Sequence, residues 1–169
     1  MSRRLVLGVL ALGLGSILIL SLAWGLQHAA MSSPTVLGQA APALAIKPAT
    51  GDQVRIGDLK GQAVVLNFWA SWCGPCVDEG AVLDAGAASS PQVRFLGADN
   101  RDTWTAYQAF ELRHPHTYPA GPIVSGSYQS YGVAGLPATF FINSQGVVVA
   151  SFVGPLDEKT LQHYLGLLS

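Results

Sequence analysis

The sequence is short of charge and nearly free of cysteine. Of its 169 residues only 11% are charged, the formal net charge is −1, and there are two cysteines. With neither a basic excess nor an acidic tail, nothing indicates a nucleic-acid-binding protein. Two cysteines only two residues apart cannot build the disulfide framework of a small secreted scaffold, and so short a loop adds little stability. The pair is therefore predicted to be chemical rather than structural.

A long uncharged apolar run lies near the N-terminus. It extends from Leu5 to Leu26 and follows the basic residues Arg3 and Arg4. At ~1.5 Å per residue, a helix of this length crosses a hydrocarbon core of roughly 30 Å. Because positive flanks stay in the cytoplasm, we expect a single-pass anchor in the cytoplasmic membrane, with the remaining chain on the extracytoplasmic, periplasmic side. A cleaved signal peptide ending near Ala23 is the alternative.

Three segments follow from the change in composition. We expect a membrane anchor or signal segment at residues 1–27, a tether of small and polar residues at 28–42, and one domain at 43–169.

Within the domain, the apolar pattern predicts strands at 44–46, 53–56, 63–68, 93–98, 138–142 and 147–152, and helices at 74–88, from 104 to about 114, and after Asp157. Residues 115–126, rich in Pro and Gly, are predicted to be a loop with one short extended piece. The order predicts an α/β sandwich with a central mixed sheet.

The two cysteines bracket the start of a predicted helix. Cys73-Gly74-Pro75-Cys76 follows a strand that is apolar enough to be buried on both faces. With helical geometry the two sulfurs can reach bonding distance, about 2.05 Å. Free N–H groups and the helix dipole would stabilise a Cys73 thiolate, and Pro75 suits the first turn because no donor is needed there. We expect Cys76 to be less exposed and to act as the resolving thiol.

A C-x-x-C pair can also be half of a zinc site. Zinc takes four ligands, and the sequence has no second pair of cysteines. The only clustered histidines are His114 and His116, far along the chain on either side of Pro115. We predict that both are solvated residues of a loop or helix end, and no metal site is expected.

The segment Asn67–Cys76 resembles the active-site segment of thioredoxin-fold proteins, and its flanks resemble the membrane-anchored TlpA/ResA/DsbE branch. Three further segments agree: 51–61 resembles the hairpin and turn before the active site, 131–140 the cis-proline segment, and 154–156 the entry to the last helix. The resemblance covers residues 36 to 168. It implies a thioredoxin fold, a central mixed sheet flanked by helices, here preceded by one N-terminal transmembrane helix.

The resemblance also implies roles for individual residues. Cys73 and Cys76 would be the catalytic redox pair and Pro137 a cis-proline facing them, while the backbone of Leu136 would pair with an extended substrate segment. Glu79, three residues after Cys76, would relay its proton; a solvated surface glutamate is the alternative. Trp72, together with Phe68 and Trp69, would form core and groove walls, and Gly74 and Pro75 complete the supporting residues.

The implied function is an extracytoplasmic thiol-disulfide oxidoreductase with no cofactor other than the Cys73–Cys76 disulfide. Its expected substrates are disulfides of exported proteins, with the heme-attachment C-x-x-C of apocytochrome c as the leading candidate, and its expected donor is a membrane thiol-transfer protein. The Gly74-Pro75 dipeptide resembles that of reducing members. A disulfide-forming oxidase or isomerase, or a non-enzymatic metal-binding chaperone, are the alternatives. Ala138, where cytochrome-maturation members often carry Glu, and Ala81, where many relatives carry Pro, are departures from the family pattern.

Overall fold

The computed structural model describes residues 13–21 and 36–168. The chain forms two compact units, residues 1–33 and 34–169. In the first unit residues 13–21 are helical, and most of the predicted anchor lies outside the described residues. None of the helices within the described ranges has the length and apolar character needed to span a membrane. The boundaries predicted at residues 27 and 42 stay predictions.

Seven strands form one sheet in the second unit. They are β1 (Leu44–Ile46), β2 (Val54–Arg55), β3 (Ala63–Trp69), β4 (Val93–Asp99), β5 (Ala120–Gly126), β6 (Ala138–Ile142) and β7 (Val148–Val153). Their order across the sheet is β2-β1-β5-β4-β3-β6-β7. β4 runs parallel to both β3 and β5, whereas the remaining neighbours pair antiparallel. The prediction of a central mixed sheet is confirmed.

Three α-helices accompany the sheet: α1 (Gly74–Ser89), α2 (Trp104–Glu111) and α3 (Glu158–Leu165). α2 begins after Thr103, whose hydroxyl accepts a hydrogen bond from the Ala106 N–H at 3.2 Å. α3 begins after Asp157, whose carboxylate accepts from the Thr160 N–H at 2.7 Å, as predicted. These side chains satisfy N–H groups that have no partner within the helix.

β3 is buried along its whole length and divides the core into two clusters by its period-two alternation. We call the first the helix-face cluster, because its members include residues of all three α-helices. Its central members are Val65, Trp69, Cys73, Cys76, Leu83, Phe95, Tyr107, Phe110, Tyr118, Phe141 and Leu161. We call the second the opposite cluster. Its central members are Leu44, Ile46, Val64, Leu66, Phe68, Leu96, Tyr131, Phe140 and Ile142.

The loop predicted at residues 115–126 is partly wrong, since β5 occupies seven of these positions. Gly and Pro here mark a close approach of backbones rather than a loop. A Cβ atom on Gly121 would lie 2.3 Å from the Lys47 carbonyl oxygen, so only glycine lets this chain segment pass. The predicted end of α2 near residue 114 is also wrong. The helix ends at Glu111, and Pro115 disfavours helical backbone in the residue before it.

Residues 36–41, within the predicted tether, are fastened to the β6–β7 hairpin. The Gly38 N–H donates to the Val148 carbonyl at 2.8 Å, and the Ala41 N–H donates to the Gly146 carbonyl at 2.8 Å. Val36 is buried in the opposite cluster. This part of the chain therefore packs with the domain.

Candidate active site

Cys73 caps the N-terminus of α1. It has extended backbone geometry (φ −90°, ψ 100°), and its Sγ accepts a hydrogen bond from the Cys76 N–H at 3.3 Å. Its carbonyl accepts from the N–H groups of Cys76 and Val77. Pro75 lies in the first turn, where its missing N–H has no cost. The sulfur of Cys73 therefore lies at the positive end of the helix dipole, which favours the thiolate once the pair is reduced.

Cys73 and Cys76 form a disulfide, with an Sγ–Sγ distance of 2.06 Å. The prediction that Cys76 is the less exposed of the two is wrong for this oxidised form: Cys73 is 6% exposed and Cys76 7%. The physical reason is that the Cys73 sulfur bends back over the first turn of the helix to cap it. Both sulfurs are thus shielded until a partner or reductant reaches them.

A shallow groove lies next to Trp72, the residue that precedes Cys73. The Leu136–Pro137 peptide bond is cis, which is the isomer implied by the resemblance. Leu136 is half-buried and Pro137 buried, while Trp72 is 65% exposed. A cavity of about 110 Å³ is lined by Trp72, Asn100, Arg101, Tyr128, Val133, Ala134, Gly135 and Leu136. Trp72 thus forms a groove wall, as expected, whereas Phe68 and Trp69 belong to the core.

Arg101 is the cation of this groove. It has left-handed backbone geometry (φ 75°), which is uncommon outside glycine. Its guanidinium lies 5.0 Å from the centre of the Tyr128 ring, and its Nη2 donates to the Tyr128 hydroxyl. Sequence reasoning missed both residues, because neither stands near the cysteines in the chain.

Glu79 lies within the core, so the alternative of a solvated surface glutamate is wrong. The side chain is 1% exposed. Its Oε1 accepts from Asn67 Nδ2 at 2.8 Å and its Oε2 from the Leu156 N–H at 2.8 Å. Asn67 also donates to Thr139 Oγ1 at 3.0 Å. Burial raises the pKa of Glu79 to about 7, and the two hydrogen bonds oppose part of that shift. Its predicted role as a proton relay stays a prediction.

Two carboxyl groups that the sequence analysis did not assign to the site lie at the C-terminal end of β4. Asp102 Oδ2 accepts from the Ser71 N–H at 2.6 Å and so fixes the loop that leads to Cys73.

Asp99 is 2% exposed, and neither of its carboxylate oxygens has a hydrogen-bond partner among residues 36–168. Burial, followed by the charge of Asp102, raises the pKa of Asp99 to about 8. Asp99 therefore carries a proton at neutral pH. A polar residue ending an apolar strand was the available signal.

His116 is not a solvated loop residue, so that prediction is wrong. Its side chain is only 11% exposed, and its Nδ1 lies 2.5 Å from Glu111 Oε1. Its ring packs 4.6 Å from that of Trp69, measured between centroids. The loop after α2 carries His116 against Trp69, Phe110 and Tyr118 of the helix-face cluster. His114 is exposed, as predicted. In the described part of the chain no group of three His, Cys, Asp or Glu side chains could hold a metal ion.

Comparison with known sequences gives consistent results. The redoxin family profile matches residues 37–168. The thiol-disulfide oxidoreductase ResA of Bacillus anthracis is 30% identical over 135 residues, which cover 76% of this chain and 76% of that protein. The thiol:disulfide interchange protein HelX of Rhodobacter capsulatus is 31% identical over 140 residues, which cover 80% and 78% of the two chains.

The fold agrees with that of a solved relative. The crystal structure of a thiol:disulfide interchange protein, described as a DsbE, from Chlorobium tepidum superposes with a TM-score of 0.71 at 28% identity. The match covers 78% of this chain and 96% of that one. The prediction of a thioredoxin-like fold is confirmed by this similarity together with the sheet order.

Proposed function

Because the chain belongs to the redoxin family and is a thiol-disulfide oxidoreductase, we propose that it reduces disulfides of exported proteins while held at the cytoplasmic membrane. The observation that carries the proposal is the Cys73–Cys76 disulfide at the start of α1, beside the cis-proline groove. The proposed leading substrate is the C-x-x-C disulfide of apocytochrome c, and the proposed electron source is a membrane thiol-transfer protein.

The chemistry begins with the reduced pair. The Cys73 thiolate attacks one sulfur of the substrate disulfide, forms a mixed disulfide, and releases the other substrate sulfur as a thiolate. Cys76 then loses its proton and attacks Cys73, which closes the Cys73–Cys76 disulfide and releases the second substrate sulfur. Two electrons have passed to the substrate. A membrane dithiol restores the pair by the reverse sequence.

The groove supports a polypeptide substrate rather than a small thiol. Leu136 stands directly before the cis-proline, where an extended segment can pair with exposed backbone. The exposed Trp72 ring offers apolar contact on the other wall, next to Cys73. Arg101, stacked on Tyr128, offers a cation at the end of the groove. These contacts would hold a substrate disulfide above Cys73.

The reduction potential decides the proposed direction. We would equilibrate the full chain in detergent with defined thiol buffers and trap the free thiols. A potential near or below about −220 mV would support a reductant, and a value near about −120 mV would contradict it and indicate a disulfide-forming oxidant. A disulfide-bonded C-x-x-C-H peptide would test the proposed substrate, with the same peptide carrying Ser for both cysteines as the control.

The proposed location has a separate test. After reduction of intact cells with a permeant thiol, a membrane-impermeant maleimide should label the pair without lysis. The double variant Cys73→Ser, Cys76→Ser reports background labelling. Labelling that requires lysis would contradict the extracytoplasmic location. If the protein isolated from cells lacks its first residues, the N-terminal segment is a cleaved signal peptide and not a membrane anchor.

A further inference from the structure

When Cys76 attacks to close the disulfide, its buried thiol must lose a proton. Cys76 is 7% exposed in the oxidised form, so bulk water has little access to its sulfur. Glu79 is the nearest buried carboxyl group along the helix, but both of its oxygens already accept hydrogen bonds from Asn67 and Leu156. It is also 1% exposed. A proton held by Glu79 therefore has no direct route to solvent.

A cavity beside Cys76 offers such a route. Its volume is about 230 Å³, and a water molecule needs only ~10–15 Å³ of such space, so several waters fit. Cys76, Asn67 and His116 all line it. Glu79 does not line this cavity and reaches it only through its bond to Asn67.

The titratable groups that line the cavity come from two segments. α1 contributes Cys76 and Asp84, and the loop after α2 contributes His114, His116 and Tyr118. Asp84 Oδ1 already accepts from the N–H and hydroxyl of Thr117, at 2.9 and 2.7 Å. Burial raises the pKa of Tyr118 well above its ordinary value, which keeps the phenol neutral. Asp84 and Tyr118 are thus poorly suited to accept a proton.

His116 is oriented for this task by Glu111. The Glu111 carboxylate holds His116 Nδ1 at 2.5 Å through Oε1 and accepts from the His116 backbone N–H at 3.3 Å through Oε2. A carboxylate on Nδ1 fixes the orientation and the tautomer of the ring, so Nε2 is the nitrogen left to accept a proton. The rings of Trp69 and Tyr118, with centroids at 4.6 and 5.2 Å, hold the imidazole in place. Asp99 and Tyr107 both lie close enough to Glu111 to interact with its charge.

We propose that His116, oriented by Glu111, accepts the proton of Cys76 through water in this cavity when Cys76 attacks the Cys73 mixed disulfide. The S–H bond of Cys76 breaks, its proton passes through water to His116 Nε2, and its electron pair forms the Cys73–Cys76 bond. The leaving sulfur departs as a thiolate. When a donor reduces the pair, His116 returns a proton to Cys76. The inference rests on thiol-disulfide exchange, not on the proposed direction or location.

The test follows the two sulfur attacks separately. The full chain, reduced and held in detergent, is mixed with 5,5′-dithiobis(2-nitrobenzoate) in a stopped-flow instrument. The first equivalent of thionitrobenzoate is released by Cys73 attack and the second by Cys76 attack, so each phase reports one step. Both phases are recorded from pH 5 to pH 9, in H₂O and in D₂O.

His116→Phe keeps a ring against Trp69 but removes the nitrogens, and His114→Gln is the matched control on the same cavity. We expect His116→Phe to slow the second phase by roughly tenfold or more and to change its pH profile and solvent isotope effect, with the first phase unchanged. Glu111→Gln should slow the second phase less. His114→Gln should leave both phases at the wild-type rate.

Three results would overturn the proposal. A wild-type second phase in His116→Phe would exclude His116 as the acceptor. Equal slowing of both phases would show a packing role only. A loss of the second phase confined to Glu79→Gln would assign the proton to Glu79 instead. Because the probe is a synthetic disulfide, these outcomes hold even if the measured potential contradicts a reducing function.

Discussion

The two faces of the sheet carry different chemistry. The opposite cluster consists of aliphatic and aromatic side chains, and its one hydroxyl, that of Tyr131, donates to the Pro42 carbonyl at 2.6 Å. The helix-face side holds the disulfide and, around it, the buried carboxyl groups of Glu79 and Asp99 and the half-buried His116. The opposite cluster therefore stabilises the fold mainly through apolar contacts. The other can keep titratable groups in a low-dielectric environment beside the cysteines.

The largest effect should come from the cysteines themselves. Cys73→Ser should abolish disulfide reduction, because a hydroxyl is not an effective nucleophile toward sulfur at neutral pH. Cys76→Ser should keep the first attack and accumulate the mixed disulfide, since nothing then resolves it. Insulin reduction measures turnover, and mass spectrometry detects the mixed disulfide.

The control for the two serine variants is a measurement of their stability. Because the closed loop is short, either serine variant should unfold in urea close to the wild-type midpoint. A Cys76→Ser protein that turns over at the wild-type rate would remove the resolving role of Cys76. The helix face could then no longer be distinguished from the opposite face by the chemistry of its two cysteines.

In the opposite cluster, Phe140→Ala should cause the largest loss of stability. Phe140 is fully buried, with its ring 5.6 Å from Phe68 and 5.2 Å from Tyr131 between centroids. Removing a buried phenylalanine ring lowers the free energy of unfolding by about 3–5 kcal/mol. We expect this loss in urea unfolding, with the reduction potential of the pair unchanged. Phe140→Leu, which fills more of the space, is the milder control. A shifted potential would mean that the faces are coupled.

Glu79→Gln should have a smaller effect on stability, of about 1–3 kcal/mol at pH 6. The glutamate oxygens accept from two donors, Asn67 Nδ2 and the Leu156 N–H. Glutamine offers one oxygen, so one of the two buried donors loses its acceptor. Urea unfolding measures the loss, and Glu158→Gln, on the exposed first turn of α3, is the matched control. An unchanged stability would show that a water or a rotated amide replaces the lost acceptor.

Period-two and helical patterns predicted most elements because their physics is local. The continuous apolar run of β3 and the start of α3 after Asp157 depend on residues a few positions apart, and these predictions are confirmed. β5 was predicted only as a short extended piece within a loop, because Gly121 is required by a distant segment, the backbone of Lys47, that passes close to it. No window of neighbouring residues contains that information.

The same distinction between local patterns and contacts of distant residues applies to the site. The cysteine spacing and the proline at the helix start were visible in the sequence, because they are contiguous. The burial of Glu79 depends on Leu156, 77 positions away, and the pairing of His116 depends on how the loop folds under Trp69. Charged residues far apart in the chain gave no sign that the fold collects them around one disulfide.

Asp99→Asn has the smallest effect at low pH and sharpens the contrast between the two buried acids. The pKa of Asp99 is raised from 3.8 to about 8, mainly by burial, so the folded state holds its proton where the unfolded state releases it. That contribution to stability is complete below pH ~4 and is lost as the pH rises toward about 8, by at most ~1.4 kcal/mol per pH unit. Asparagine cannot ionise, and its amide can donate to Asp102. The stability of Asp99→Asn relative to the wild type should therefore be lowest at pH 5, where only a small part of the contribution is lost, and should rise steadily to pH 8.

Thermal or urea unfolding from pH 5 to pH 9 measures this difference directly. Glu79, whose pKa is raised to about 7, contributes the same sign of dependence to both proteins, so it cancels in the comparison. A wild-type curve parallel to that of Asp99→Asn would mean that Asp99 is ionised in the folded protein, with a donor or water bound to it. Curves that diverge steadily from pH 5 and become parallel above pH ~8 would place a neutral carboxyl beside the active-site loop at neutral pH. Because Asp102 holds the Ser71 N–H of that loop, the same titration should then appear in the rate of Cys73 attack.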